Sequence, residues 1–123
     1  MILPKKGLII RKPYITRILN GTKTWEMRTR FSYPQGRIAL IEAGSGMIVG
    51  ECVHHGSKPP IMDFAQFIET SGFHGMDLDE ANLVINKWDV PWLLSDVKKY
   101  KKPIPYKHPQ GAVIWVNLEG ATS

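Results

Sequence analysis

Cysteine is nearly absent: Cys52 stands alone in 123 residues, which excludes an internal disulfide and a cysteine-based zinc site. Such usage suits a reducing cytoplasm, and Cys52 within "GECVH" reads as a small buried residue. Long apolar runs are missing as well. "GLII" and "IALI" fall far short of the roughly 20 residues a membrane helix needs, so no bilayer span is expected. The first residues interleave Lys5, Lys6, Arg11 and Lys12 with Pro4 and Gly7, a pattern unlike a secretory leader. Internal repeats, low-complexity tracts and obvious linkers are also lacking. With 43% apolar and 22% charged residues, what remains is a globular chain, expected to be one cytoplasmic domain over residues 1–123.

The charge is unevenly spread. Lys5, Lys6, Arg11, Lys12, Arg17, Lys23, Arg28 and Arg30 face only one acid, Glu26, in the first 30 residues. Residues 59–97 reverse the sign: Asp63, Glu69, Asp77, Asp79, Glu80, Asp89 and Asp96 against Lys87. Lys98, Lys99, Lys101, Lys102 and Lys107 then restore the positive sign. If the basic ends meet in space, the molecule has one face suited to a polyanion such as nucleic acid.

Hydrophobic periodicity gives the elements. "GLIIR" (7–11) reads as a central strand. Pro13 opens a helix whose apolar stripe is Ile15, Ile18 and Leu19, and Asn20-Gly21 ends it. From Thr22 the period is two, which puts Lys23, Trp25 and Met27 on one side and Thr24, Glu26 and Arg28 on the other. Segments 36–44 and 47–55 form a hairpin across "GSG". Asp63 and Gln66 have capping-box spacing before a stripe of Phe64, Phe67 and Ile68, and a second short helix is expected from Asp79 to Ile85 after the loop "TSGFHGMD". Segments 92–100, with a basic tail, and 111–119 complete the strands. Five to six short strands with two or three helices and no regular βαβ alternation predict an α+β protein on a compact mixed or antiparallel barrel.

The stretch "NGTKTWEMRTR" (20–30) carries the chemistry. Glu26 and Arg28 share a strand face. Turned inward, they are either a network fixing strand register or a polar floor that reads a base edge or holds a phosphate. Lys23 follows a helix end, where it meets either the helix dipole or a ligand. Trp25 serves as core or as a stacking platform.

"KPYITRILNGTKTWEMR" resembles the signature of the ASCH family, the activating-signal-cointegrator homology domain of the PUA-like superfamily. The hallmark G-x-K-x-x-E-x-R is supplied by Gly21, Lys23, Glu26 and Arg28, and looser likeness runs through "PQGRIALIEAG", "GMIVGECVHH" and the C-terminal third. The resemblance implies a closed barrel with a basic cleft beside the first helix. It also implies RNA or another single-stranded nucleic acid, or a modified nucleoside, as partner, with no membrane. Lys12, Lys23, Trp25 and Arg28 would line the cleft, Glu26 would set its geometry, and Tyr106 in "KKYKKPIPYKH" would offer a stacking surface.

The family also resembles enzymes. One branch is similar to amidohydrolases acting on N4-acetylcytidine, with a Lys, a Thr three residues later and a further acid. Here the position three after Lys23 is Glu26, the neighbouring hydroxyls are Thr22 and Thr24, and His74 and Asp77 are poor matches to the acid. A variant in which Lys23 and Glu26 act as the catalytic pair, handling protons around a bound water, is left open. Other members resemble metal-dependent ribonucleases. His54, His55, His74 and His108 lack zinc spacing and read as surface or loop residues. No cofactor is expected, with a divalent metal left open for the ribonuclease reading. A protein-interaction module is the third alternative.

Overall fold

The computed structural model describes residues 2–85 and 87–119. The elements are β1 (Lys6–Ile10), α1 (Tyr14–Leu19), β2 (Trp25–Arg28), β3 (Gly36–Glu42), β4 (Met47–Ser57), α2 (Phe64–Glu69), α3 (Ser71–His74), α4 (Leu78–Val84), β5 (Val90–Pro105) and β6 (Trp115–Asn117). The strands form one sheet in the order β2-β5-β4-β3-β1-β6. β1 runs parallel to β3 and the remaining pairs are antiparallel. The expected α+β mixed barrel architecture is therefore present, as a curled half-barrel. The fully closed barrel is not: among the described residues no ladder joins β2 to β6, the two edges of the sheet.

The unbroken apolar run of β1 is explained by burial on both faces. Leu8 and Ile10 join Ile38, Leu40, Cys52 and Leu94 under Ile15 and Ile18 of α1. Ile9 turns the other way, to Ala39, Ile41, Ile48 and Val116. A third cluster, with Trp25, Met27, Phe67, Met76, Ala81 and Val84, ties the helical insert α2–α4 to β2. Close approach of α1, β4 and β5 depends on Gly50, where a Cβ would stand 2.5 Å from the Lys98 carbonyl oxygen and 2.8 Å from Leu19 Cδ2.

Several elements differ from expectation. Pro13 caps α1 instead of opening it. The loop "TSGFHGMD" contains the helical turn α3, because Thr70 to Gly75 close local backbone bonds. Phe64 is exposed, and Phe67 alone of its stripe is fully buried. The basic tail after residue 100 remains in β5, which bulges where its pairing with β4 jumps from Gly50–Lys99 to Ile48–Ile104. Among the described residues no helix is long and apolar enough to cross a membrane.

His54 and His74 are core residues, contrary to the surface reading. His54 Nδ1 accepts from the N–H groups of Gln35 and Gly56, and the ring packs edge-on against the stacked pair Trp92 and Trp115. His74 Nδ1 accepts from Met76 N–H, and its Nε2–H donates to the Phe67 carbonyl at 2.6 Å. Burial lowers both pKa values from 6.5. Below pH 6.5 the unfolded chain therefore binds more protons than the folded one, and stability falls with falling pH. The urea midpoint is expected to drop between pH 7 and pH 5, with a shallower drop in His74→Gln. Gly50→Ala is expected to cost about 1–3 kcal/mol in the same assay, and Leu19→Ala should not restore it, because the closer obstacle is backbone.

Candidate nucleic-acid interface

β2 starts at Trp25, so Lys23 lies before the strand and does not obey its alternation. Gly21, at φ +87°, turns the chain after α1. Lys23 N–H then donates to the Arg17 carbonyl, and Thr24 N–H to the Phe73 carbonyl of α3. That path folds the Lys23 side chain back under Glu26. The two residues, expected on opposite faces, meet at 3.7 Å between Nζ and Oε1.

Lys23 is completely buried. Its Nζ donates to the His74 carbonyl at 2.9 Å and lies 5.5 Å from the centre of the Tyr14 ring. Desolvation lowers its pKa to about 8, against the opposing attraction of Glu26. Glu26, 5% exposed, is held on its other oxygen: Arg28 Nε and Nη2 donate to Oε2 at 3.1 and 2.8 Å. Arg28 Nη2 also donates to the Ile9 carbonyl at 2.8 Å. A side chain thus bridges β2 to β1 across the gap that the backbone ladders leave open.

Above this row lies a cavity of about 430 Å³. Glu26 and Arg28 line it, between Tyr14, Met76 and Trp88 on one side and Ile9, Gly44, His108 and Val113 on the other, with Arg11 near Trp88. Glu26 Oε1 lies 3.7 Å from Lys23 Nζ, while Arg28 Nη1, on the guanidinium edge turned away from the carboxylate, takes part in no hydrogen bond among the described residues. The Tyr14 position is set by α1, which Arg17 clamps to the insert through the Gly75 carbonyl and the Glu80 carboxylate at 2.9 Å.

The predicted site residues divide. Glu26 and Arg28 line the cavity, while Lys23 supports Glu26 from beneath without lining it. Trp25 is core, stacked on Phe73 at 4.6 Å and packed against the insert, and is absent from the cavity lining. Lys12 lies outside, paired with Glu42 at 3.6 Å in a separate groove. Tyr106 also lies outside and acts on the wall: its hydroxyl donates to His108 Nδ1, and His108 Nε2–H donates to the Ala112 carbonyl. Asp77 caps α4. Tyr14, Met76, Trp88 and His108 went unnoticed as lining residues; only the aromatic at the start of "KPYITRIL" offered a signal.

Among the described residues, no three His, Cys, Asp or Glu side chains converge on a metal-sized space. Glu26 is the cavity's one carboxylate there, and two cations already hold it. This donor set does not suit a divalent ion, which favours several oxygen ligands. A side-chain NMR titration of Lys23 should give a midpoint near pH 8, and Glu26→Gln should lower it, because the attraction that favours the charged amine is lost.

Comparison with known proteins agrees with this architecture. Solved structures of an ASCH protein from Zymomonas mobilis superpose on the chain. One has a TM-score of 0.67 at 16% identity, over 92% of this chain and 86% of that one. A serine-to-alanine variant of it gives 0.65 at 15% identity, over 95% and 91%. No curated protein matches the chain in sequence. The profile described as ASCH domain matches residues 8–111, and the chain belongs to the ASCH domain family.

Proposed function

We propose that this chain binds RNA, or a modified nucleoside, in the cavity above Glu26 and Arg28. The observation that carries the reading is the fixed Glu26–Arg28 pair on the cavity floor, whose Arg28 Nη1 makes no hydrogen bond among the described residues. Arg28 offers a donor to a base edge or a phosphate, and the Glu26 carboxylate holds its guanidinium in place. Their partners within the protein fix both groups before a ligand arrives, so little ordering entropy is lost on binding. A volume of about 430 Å³ is within the range of small-ligand sites, and Tyr14 and Trp88 supply flat aromatic surface. Arg11, exposed beside Trp88, suits a phosphate at the mouth. Membership of a family that is generally RNA-binding or related supports the same reading.

A second reading, hydrolysis in the same cavity, draws on the lowered pKa of Lys23. The arrangement favours it less. Lys23 is fully buried and does not line the cavity, Thr22 is tied to Asn20 Oδ1, and Thr24 is exposed.

Tryptophan fluorescence titration with single-stranded RNA and with the free nucleosides tests both readings. Glu26→Gln is expected to weaken binding roughly 10- to 100-fold, as for loss of a charged acceptor. Arg11→Ala should weaken RNA but spare nucleosides. Retained binding in Glu26→Gln together with lost turnover of an RNA or nucleoside substrate would establish the hydrolase instead.

A further inference from the structure

A second groove, of about 340 Å³, lies on the other side of the Arg11–Lys12 crossover. One wall is a face of α1 and its approach, with Lys12, Thr16 and Asn20 at helical spacing. The other wall is the β5 bulge, with Lys99 and Pro103. The bulge places residues 99–104 of β5 opposite only Gly50 to Ile48 of β4, so the extra chain loops outward and carries Lys101 and Lys102 into solvent. Gly50 keeps the floor shallow by letting α1 and β5 approach.

The two cavities share a wall built of consecutive residues. Arg11 lines the first and Lys12 the second; Gly44 and Ala43 line the first and Glu42 the second. A strand that crosses the Arg11–Lys12 segment therefore meets both cavities. The balance of charge in the groove is positive: Glu42, its only acid among the described residues, is matched by Lys12. Lys98, Lys99, Lys101 and Lys102 have no carboxylate within 4.0 Å among the described residues, and Lys99 lines the groove itself. Tyr100 cannot serve as a stacking surface there, because it is buried and its hydroxyl donates to Glu51 Oε1 at 2.8 Å. The groove therefore offers cations and hydrogen-bonding side chains without an aromatic platform, a composition that suits backbone phosphate more than a base.

We infer that this groove is a phosphate subsite for the nucleic-acid strand whose base occupies the first cavity, with Lys12 and Lys99 as its cations. The inference rests on the nucleic-acid reading of the first cavity and extends it. The ligand is a strand spanning the Arg11–Lys12 crossover, with one base held and its neighbouring phosphates read by charge alone. It follows that a free nucleoside uses half of the site and that an oligonucleotide gains affinity without gaining sequence preference.

The test is a titration of a labelled, mixed-sequence single-stranded RNA of about ten nucleotides at several salt concentrations, alongside free nucleosides and inorganic phosphate. The proteins are the unmodified chain, Lys12→Ala, Lys99→Ala, Glu26→Gln and the control Lys5→Ala. Lys12→Ala and Lys99→Ala should each weaken RNA binding roughly fivefold and reduce the salt slope by about 0.7. Both should leave nucleoside binding unchanged, and Lys5→Ala should change neither. RNA affinity and salt slope unaltered in both lysine variants, while Glu26→Gln still impairs binding, would overturn the groove and leave the first cavity standing. Sensitivity to Lys12 and Lys99 with indifference to Glu26 would overturn the first cavity and with it the single-strand path. Protection of the groove by inorganic phosphate alone, with RNA no tighter than phosphate, would assign it to free anions and overturn the strand path as well.

Discussion

Glu26 lies almost out of contact with water between two cations, Lys23 beneath it and Arg28 beside it. Removing three charges from solvent is costly, and mutual attraction offsets that cost only when the remaining hydrogen-bonding capacity is also met. Here each cation is anchored to a different part of the chain. Arg28 reaches the Ile9 carbonyl of β1, and Lys23 reaches the His74 carbonyl at the end of α3. The edge strand β2, the central strand β1 and the helical insert therefore converge on one carboxylate. Loss of that carboxylate would leave two buried cations facing each other, so the position is constrained by electrostatics before any ligand is considered.

The same arrangement explains why a cavity exists at that point. A half-barrel whose edges do not pair leaves a gap, and apolar side chains would ordinarily collapse into it. A charged row resists such collapse, since it must keep its geometry to remain satisfied. The opening above it is walled by residues that belong to other tasks: Tyr14 starts α1, Trp88 precedes β5, and His108 is pinned by Tyr106 and Ala112. The site is rigid at its floor and assembled from loops around its rim, a common division between scaffold and specificity.

Charge segregation along the chain has a partly structural origin. Several acids of the middle region have local duties: Asp63 and Asp77 cap α2 and α4, and Glu80 receives Arg17. The basic ends are less occupied. The first crossover and the bulge of β5 come together on either side of α1, so residues distant in sequence, Lys12 and Lys99, line one groove. The convergence of the two basic ends thus has a physical basis in the packing of α1 against β4 and β5.

Periodicity and turn chemistry made much of the fold legible. The β1 run, the α1 stripe, the "GSG" hairpin and the Asp63 cap follow from local preferences that packing did not override. The spacing of Gly21, Lys23, Glu26 and Arg28 also marked the polar row, since few other uses exist for three alternating charges beside a buried Trp. What the sequence could not determine was which side each residue would take once the strand began three residues late, at Trp25. Alternation of faces holds only inside a strand, and the backbone bond from Lys23 to Arg17 moved Lys23 outside it. Tertiary packing alone decided that Trp25 became core, that Lys12 left the first cavity, and that His54 and His74 were buried. Each outcome depends on contacts between segments far apart in the chain, and a one-dimensional pattern carries no record of those distances.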